Sequence, residues 1–211
     1  MARCYSDCVP RRYPLRLPRS GPADEAAPLP AGAWLVSDAR IDDRIEGALR
    51  VLPRGSGLIF RHYHLSPRER RARFAQLARV ARRHGHKAVF SGSAQEARRV
   101  GARGAYGSAR RLARGPALLR LVTAHSLREI GEANRMRADA IILSPVFPTR
   151  THPGARALGA LRFRLLAVRA RAPVIALGGM TAQRARAIDA PRWAAIESLA
   201  QLARPVFPRR S

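Results

Sequence analysis

The chain has 211 residues, a length that suits one domain with a sizeable core rather than several domains. Lysine and arginine together number 40 against 14 aspartates and glutamates, and Lys87 is the only lysine, so the net charge of +26 comes almost entirely from arginine. No apolar run approaches the ~20 residues that a membrane helix needs, and the first residues lack the apolar core of a signal peptide, so we expect a cytoplasmic protein.

A charge this large attracts nucleic acid, anionic lipid or phosphate esters without a dedicated site. The arginines are scattered through all the predicted helices but the last, few aromatic residues lie between them, and no nucleic-acid motif is present. We therefore expect compositional bias to explain the charge.

The only cysteines, Cys4 and Cys8, exclude a disulfide framework, and a lone C-x-x-x-C pair predicts two incidental thiols rather than a metal site.

In chain order, residues 1–32 are rich in proline, arginine and alanine without an apolar period, which predicts an irregular N-terminal extension. Short apolar runs then alternate with amphipathic stretches. The predicted strands are 34–37, 57–61, 87–90, 104–106, 119–123, 140–144, 174–177 and 193–196. The predicted helices are 42–51, 66–83, 94–100, 109–113, 126–136, 158–170, 181–187 and 198–203.

Eight strand–helix pairs predict a (β/α)8 TIM barrel over residues 33–205, followed by a basic tail over 206–211. The fourth strand is so short that an open sheet is the alternative. In a parallel barrel the functional residues follow the strands. A basic, hydroxyl-bearing mouth is therefore predicted from Asp38, Arg61, His62, His64, Ser91, Tyr106, His125, Ser126, residues 144–152, Gly178, Gly179 and Glu197. Such a mouth suits a phosphorylated substrate.

The segment V-I-A-L-G-G-M-T (174–181) predicts a phosphate loop. Gly178 and Gly179 let a ligand approach the backbone, and Thr181 caps a helix whose N-terminus favours anions. The alternative is that the glycines end the strand for conformational reasons only.

Arg61 ends another apolar strand, where an arginine is poorly placed unless it faces the mouth or a partner. For His62 and His64 the sequence leaves two alternatives: each binds an anion when protonated, or each is a simple solvated side chain.

Three segments resemble one known family. T-A-H-S (123–126), S-P-V-F-P-T-R-T-H-P (144–153) and A-L-G-G-M (176–180) are similar to S-x-H-S, G-P-V-F-x-T-x-T-K and A-I-G-G-I of the thiamine phosphate synthase and thiazole tautomerase family, in the same order. The resemblance is specific in the second half, extends weakly back to about Trp34, and leaves the first thirty or so residues uncovered. It implies a TIM barrel that acts on phosphorylated pyrimidine and thiazole substrates in thiamine biosynthesis.

The resemblance also implies roles for particular residues. Arg61 matches the arginine of the family's Q-L-R-x-K, and His125 matches a histidine that the tautomerase branch uses as an acid/base. The alternative is that His125 only forms a hydrogen bond to a neighbouring loop. His152 replaces the lysine of T-x-T-K, so its charge depends on pH. The substrate-binding residues implied in this way are Ser144, Thr149, Arg150, Thr151, His152, Gly178 and Gly179.

The main departure concerns Mg²⁺, which the family uses. Where the family reads N-D, whose carboxylate helps hold the ion, this chain has Ser91 and Gly92. Mg²⁺ prefers hard oxygen ligands that usually include a carboxylate, so we expect the family's metal site to be lost. Asp38 or Glu197 could supply a relocated ligand, or arginines could neutralise pyrophosphate without metal.

The resemblance implies the synthase reaction, in which a hydroxymethylpyrimidine pyrophosphate is joined to a thiazole phosphate with release of pyrophosphate. Two alternatives stay open. A thiazole tautomerase would keep His125 and the phosphate loop and needs no metal. A non-catalytic barrel would bind a phosphorylated ligand or nucleic acid through its charge. No membrane partner is expected, and the chain could form a homo-oligomer.

Overall fold

The computed structural model describes residues 32–149, 154 and 156–203. Its strands form one closed, all-parallel barrel in which each strand pairs with the next and the eighth pairs with the first. The predicted TIM barrel is confirmed, and the open-sheet alternative is wrong. The strands are β1 (Gly32–Val36), β2 (Gly57–Phe60), β3 (Lys87–Ser91), β4 (Gly104–Gly107), β5 (Leu119–Ala124), β6 (Ala140–Leu143), β7 (Val174–Leu177) and β8 (Arg192–Ala195).

A helical segment follows every strand. The first is a 3₁₀ helix, Ala39–Arg44, that continues into α1 (Ile45–Val51). The others are α2 (Pro67–Arg83), α3 (Ala94–Arg99), α4 (Ala109–Leu112), α5 (Leu127–Arg135), α6 (Gly159–Ala167), α7 (Ala182–Ala187) and α8 (Glu197–Ala200). Among the residues described, no helix has the length and apolarity needed to cross a bilayer.

Local sequence signals fix where the helices begin. Ser66 and Ser93 each accept a hydrogen bond from the backbone of a glutamate three residues later, and that glutamate's side chain accepts one from the serine's N–H. These capping boxes satisfy amide groups that the first turn leaves without partners. Ser126 and Thr181 cap α5 and α7 through their hydroxyl oxygens, as the sequence predicts for Thr181.

The core has two layers, because alternate residues of a strand face opposite sides of the sheet. Inside the barrel lie Trp34, Val36, Ile59, Val89, Tyr106, Leu121, Ala140, Ile142, Ile175 and Ala194. Between the barrel and the helices lies a larger cluster that includes Leu35, Leu58, Phe60, Phe74, Leu77 and Phe90. In β2, Gly57 and Ile59 face the inside of the barrel. Arg61 is the next residue of this inward row and lies at the barrel mouth.

Candidate functional site

A pocket of about 590 Å³ opens at the carboxyl ends of the strands. The residues that line it come from the segments after β2 and after β5 to β8, and four of them come from within strands: Tyr106, Thr123, Leu177 and Ala195. Six of the nine residues predicted from the sequence lie there together: Arg61, His125, Ser144, Thr149, Gly178 and Gly179. Arg150, Thr151 and His152 fall outside the described residues.

The glycine pair ends β7 in a conformation that favours glycine. Gly178 has φ = 99° and Gly179 has φ = 58°. A Cβ atom on Gly178 would lie 2.8 Å from the Cα of Pro145, and one on Gly179 would lie 2.5 Å from the carbonyl oxygen of Pro148. The glycines therefore let the loop after β6 pack against the end of β7. In the part of the chain that the structure describes, neither glycine N–H has a backbone acceptor.

Arg184 is a pocket residue that the sequence analysis did not single out. Its guanidinium lies 4.9 Å from the ring centroid of Phe147, and its Nη1 donates a hydrogen bond to the carbonyl oxygen of Gly179 at 2.5 Å. A permanent positive charge therefore lies beside the glycine pair. The only signal in the sequence was its place three residues after the capping residue Thr181, in the first turn of α7.

A hydrogen-bonded chain behind the mouth holds the backbone of Arg61. The N–H of Arg61 donates to Ser37 Oγ at 2.7 Å, and Ser37 Oγ lies 2.7 Å from His62 Nδ1. His62 Nε2 lies 2.7 Å from Asp42 Oδ1. A neutral His62 satisfies the whole chain by accepting from the serine hydroxyl at Nδ1 and donating to the carboxylate from Nε2.

The prediction that His62 binds an anion or is solvated is wrong, because its side chain is only 1% exposed. It stacks on Phe60 with ring centroids 4.7 Å apart, on the helix side of β2. Burial lowers the pKa of His62 below its usual 6.5, although the hydrogen bond and charge of Asp42 act in the opposite direction. His62 is therefore the neutral member of a buried network, while His64 remains exposed.

The carboxyl end of β3 is occupied by side chains of this chain. The hydroxyls of Tyr63 and Ser91 lie 2.6 Å apart. Arg70 donates to the carbonyl oxygens of Arg61 and Ser91 at 2.8 to 3.1 Å, and its guanidinium lies 4.4 Å from the ring centroid of Phe90. The Ser91 hydroxyl and carbonyl, two oxygens that a cation at this position would use, are thus both engaged.

Glu96 is a carboxylate close to this position. An oxygen of Glu96 would lie 2.9 Å from a Cβ on Gly92, but it accepts from the Ser93 N–H at 2.6 Å and from Arg111 at 3.2 Å. An arginine rather than a metal therefore neutralises it. The hydrogen bond from the Ser93 backbone is the main cause of the lowered pKa of Glu96, and the Arg111 guanidinium acts in the same direction. These residues do not fit a Mg²⁺ site, which needs several free oxygen ligands in octahedral geometry.

The relocated site considered from the sequence, Asp38 with Glu197, does not fit either. Arg40 lies between them, with its Nε 2.8 Å from Asp38 Oδ1 and its Nη1 3.1 Å from Glu197 Oε1. The side-chain hydrogen bond from Arg40 is the main cause of the lowered pKa of Asp38. Within the described ranges, no group of three or more histidine, cysteine, aspartate or glutamate side chains is placed to hold a metal ion.

Two further groups give the pocket its acid/base and hydrogen-bonding character. The ring Nδ1 of His125 lies 2.6 Å from the carbonyl oxygen of Ser144, so Nδ1 carries a proton and Nε2 is the lone-pair nitrogen of the neutral tautomer. Burial raises the pKa of Tyr106 to about 12, against a smaller lowering by Arg61. Tyr106 is therefore an uncharged hydroxyl in the pocket at neutral pH.

The fold and the pocket together define a single (β/α)8 barrel with a concave site at the carboxyl ends of its strands, where barrel enzymes carry their active sites. A sequence model of the TMP-TENI family, described as thiamine monophosphate synthase, matches residues 33–199. The chain belongs to this family. The resemblance seen in the three sequence segments is thereby confirmed.

Individual proteins are similar to this chain over part of the sequence or in fold. The chain is 41% identical over 59 residues to "Putative thiamine-phosphate synthase 2" of Aquifex aeolicus, a match that covers 28% of this chain and 32% of that protein. The fold is similar to thiamine phosphate pyrophosphorylase from Pyrococcus furiosus, with a TM-score of 0.69, 21% identity, and 82% and 92% of the two chains covered. The corresponding protein of Bacteroides thetaiotaomicron gives a TM-score of 0.54 and 17% identity, with 84% and 88% covered.

Proposed function

We propose that this chain is a transferase that joins 4-amino-2-methyl-5-hydroxymethylpyrimidine pyrophosphate to 4-methyl-5-(2-hydroxyethyl)thiazole phosphate and releases pyrophosphate. The observation that carries the proposal is the meeting of Arg61, Arg184 and the glycine pair 178–179 in one pocket of a barrel that belongs to the thiamine monophosphate synthase family. Two permanent cations beside a glycine turn suit two phosphorylated substrates.

The reaction exchanges one bond for another. The bond between the pyrimidine methylene carbon and the pyrophosphate oxygen breaks, and its electron pair leaves with pyrophosphate. The lone pair of the thiazole nitrogen then forms the new C–N bond to the same carbon. The protein has to stabilise the charge that develops on the leaving group and hold the second ring at attack distance.

Arg61 is the residue we assign to the leaving group. It follows the inward row of β2 at the mouth, and the Ser37–His62–Asp42 chain holds its backbone. We assign the thiazole phosphate to the opposite side of the pocket, where Gly178 and Gly179 lie beside the Arg184 guanidinium. Ser144 and Thr149 lie at the same rim and offer hydroxyls for orientation.

Arginine rather than Mg²⁺ carries the compensating charge in this proposal. The residues at the ends of β3 and β1 are engaged with Tyr63, Arg111 and Arg40, and so they do not fit the ion. A guanidinium placed before the reaction begins stabilises developing negative charge without the need to reorganise solvent. No step is therefore assigned to a metal.

The test is to supply purified full-length chain with both precursors and to measure thiamine phosphate and pyrophosphate. We expect the two products to appear in equal amounts, and neither to appear when the thiazole phosphate is omitted. Pyrophosphate released at the same rate without the thiazole would identify a hydrolase and contradict the proposal.

A second candidate, thiazole tautomerase, is favoured by the His125 contact. The hydrogen bond from Nδ1 to the carbonyl of Ser144 leaves Nε2 with a lone pair for moving a ring proton. If condensation is absent but thiazole isomerisation proceeds and is lost in His125→Ala, the tautomerase replaces the synthase. If both activities are absent and a phosphorylated ligand still binds, the chain is a non-catalytic barrel that binds this ligand.

A further inference from the structure

The outward face of α6 carries an apolar stripe, formed by Leu161, Leu165 and Val168. These side chains are 73%, 61% and 76% exposed, whereas Phe163 of the same helix is buried against the core. At 100° per residue, all three positions lie on the side of the helix opposite Phe163. An exposed stripe of this kind on a surface helix indicates an interaction site rather than a scattered apolar residue.

Arginines border the apolar stripe on both sides. Helical geometry places Arg162 along one side and Arg164 along the other, and Arg169 follows Val168, the residue that caps the end of α6; all three arginines are exposed. The Arg164 guanidinium is engaged at the end of α7, where it donates to the carbonyl oxygens of Ala187 and Ile188 and pairs with Asp189 at 3.0 Å. In the part of the chain that the structure describes, Arg162 and Arg169 form no salt bridge with a carboxylate. The surface is therefore apolar along its centre, with positive charge at Arg162 and Arg169 that no described carboxylate offsets.

Against the expectation from the sequence that the chain has no membrane partner, we propose that this face of α6 docks on an anionic phospholipid bilayer. Apolar side chains on one face of a helix insert between headgroups, and arginines beside them keep their guanidinium groups at the level of the lipid phosphates. Each basic residue at such a surface contributes to binding through the negative potential of the leaflet. The combination of stripe and border, rather than the net charge alone, identifies the lipid surface.

Two other partners, a second copy of this chain and a nucleic acid, fit this surface less well. A second copy docked through the same stripe would bring two arginine borders together, and three side chains on each copy bury far less than the ~1,200–2,000 Å² of a stable interface. A nucleic acid would engage the arginines through its phosphates but offers nothing to cover Leu161, Leu165 and Val168.

The test uses two matched variants, Val168→Asp in the stripe and Val51→Asp at the end of α1. Both positions are exposed valines, 76% and 55%, and both changes lower the net charge by the same amount. Full-length protein would be sedimented with vesicles of phosphatidylglycerol and phosphatidylcholine, and with vesicles of phosphatidylcholine alone, at about 150 mM salt. Thermal melting would establish that both variants fold.

We expect the wild-type chain to bind the anionic vesicles and not the neutral ones. Val168→Asp should lower the partition coefficient by about tenfold or more, since it removes an inserted side chain and adds a repelled charge. Val51→Asp should change it by less than about twofold, because a charge beyond the ~8 Å screening length has little effect.

Three results would overturn the proposal. Equal binding by the two variants would assign vesicle binding to net charge alone, and no binding by the wild type would exclude the surface. In sedimentation velocity, a wild-type dimer that dissociates in Val168→Asp but not in Val51→Asp would assign the stripe to a second copy.

Discussion

Replacing Gly179 with alanine should destabilise the barrel and displace the loop after β6. The residue has φ = 58°, and an added Cβ would lie 2.5 Å from the Pro148 oxygen and 2.9 Å from the Phe147 Cβ. The left-handed backbone costs about 1–2 kcal/mol for a residue with a side chain. Overpacking against backbone adds about 1–3 kcal/mol, so we expect a total loss of about 2–5 kcal/mol.

Gly101→Ala is the matched control, because Gly101 has φ = 68° and no atom lies within 4 Å of its Cβ position. The free energy of unfolding of Gly101→Ala should fall only by the cost of placing a side chain on a left-handed backbone, about 1–2 kcal/mol. Urea unfolding of both variants measures the difference. Equal losses would refute the claim that the glycine is required by the close approach of the loop. Gly179→Ala should also weaken ligand binding, since the displaced loop leads into Thr149 in the pocket.

Three further variants test separate parts of the account. Arg61→Ala should lower kcat on the order of 10²-fold, the scale for one lost charge-stabilising donor, while Arg110→Ala on exposed α4 should leave kcat unchanged. His62 has a folded pKa below 6.5, so its contribution to stability is full above that pH and is lost as the pH falls. The melting temperature of His62→Phe should therefore fall less steeply below pH 6.5 than that of the wild type or of His64→Phe. Ser66→Ala removes the cap of α2 and should cost about 1 kcal/mol in urea unfolding.

The barrel was predictable because its signals are local. Each strand is a short apolar run, and the serines that cap α2, α3 and α5 stand where the amphipathic pattern begins. Even the short β4 was correctly placed, although pairing with both neighbours rather than its own propensity stabilises it. Helix ends were less predictable: α6 stops at Ala167, three residues before the predicted end.

The site was only partly predictable. The residues that follow strands were found, since strand ends meet at one edge of a parallel barrel. Arg40, Arg70 and Arg184 were missed, because nothing local distinguishes an arginine that turns toward a carbonyl or carboxylate from the many that face solvent. His62 could have been placed correctly: strand alternation puts it in the same row as Leu58 and Phe60, which face the helices.

The most direct test of the central claim, that arginine charge in this pocket supports condensation without Mg²⁺, is the rate of thiamine phosphate formation before and after chelation. Purified chain would be dialysed against excess chelator and assayed with both precursors, with and without added Mg²⁺. We predict the same kcat in chelator as in Mg²⁺. Activity that disappears in chelator and returns with Mg²⁺ would contradict the claim and require a metal site that the described residues do not form.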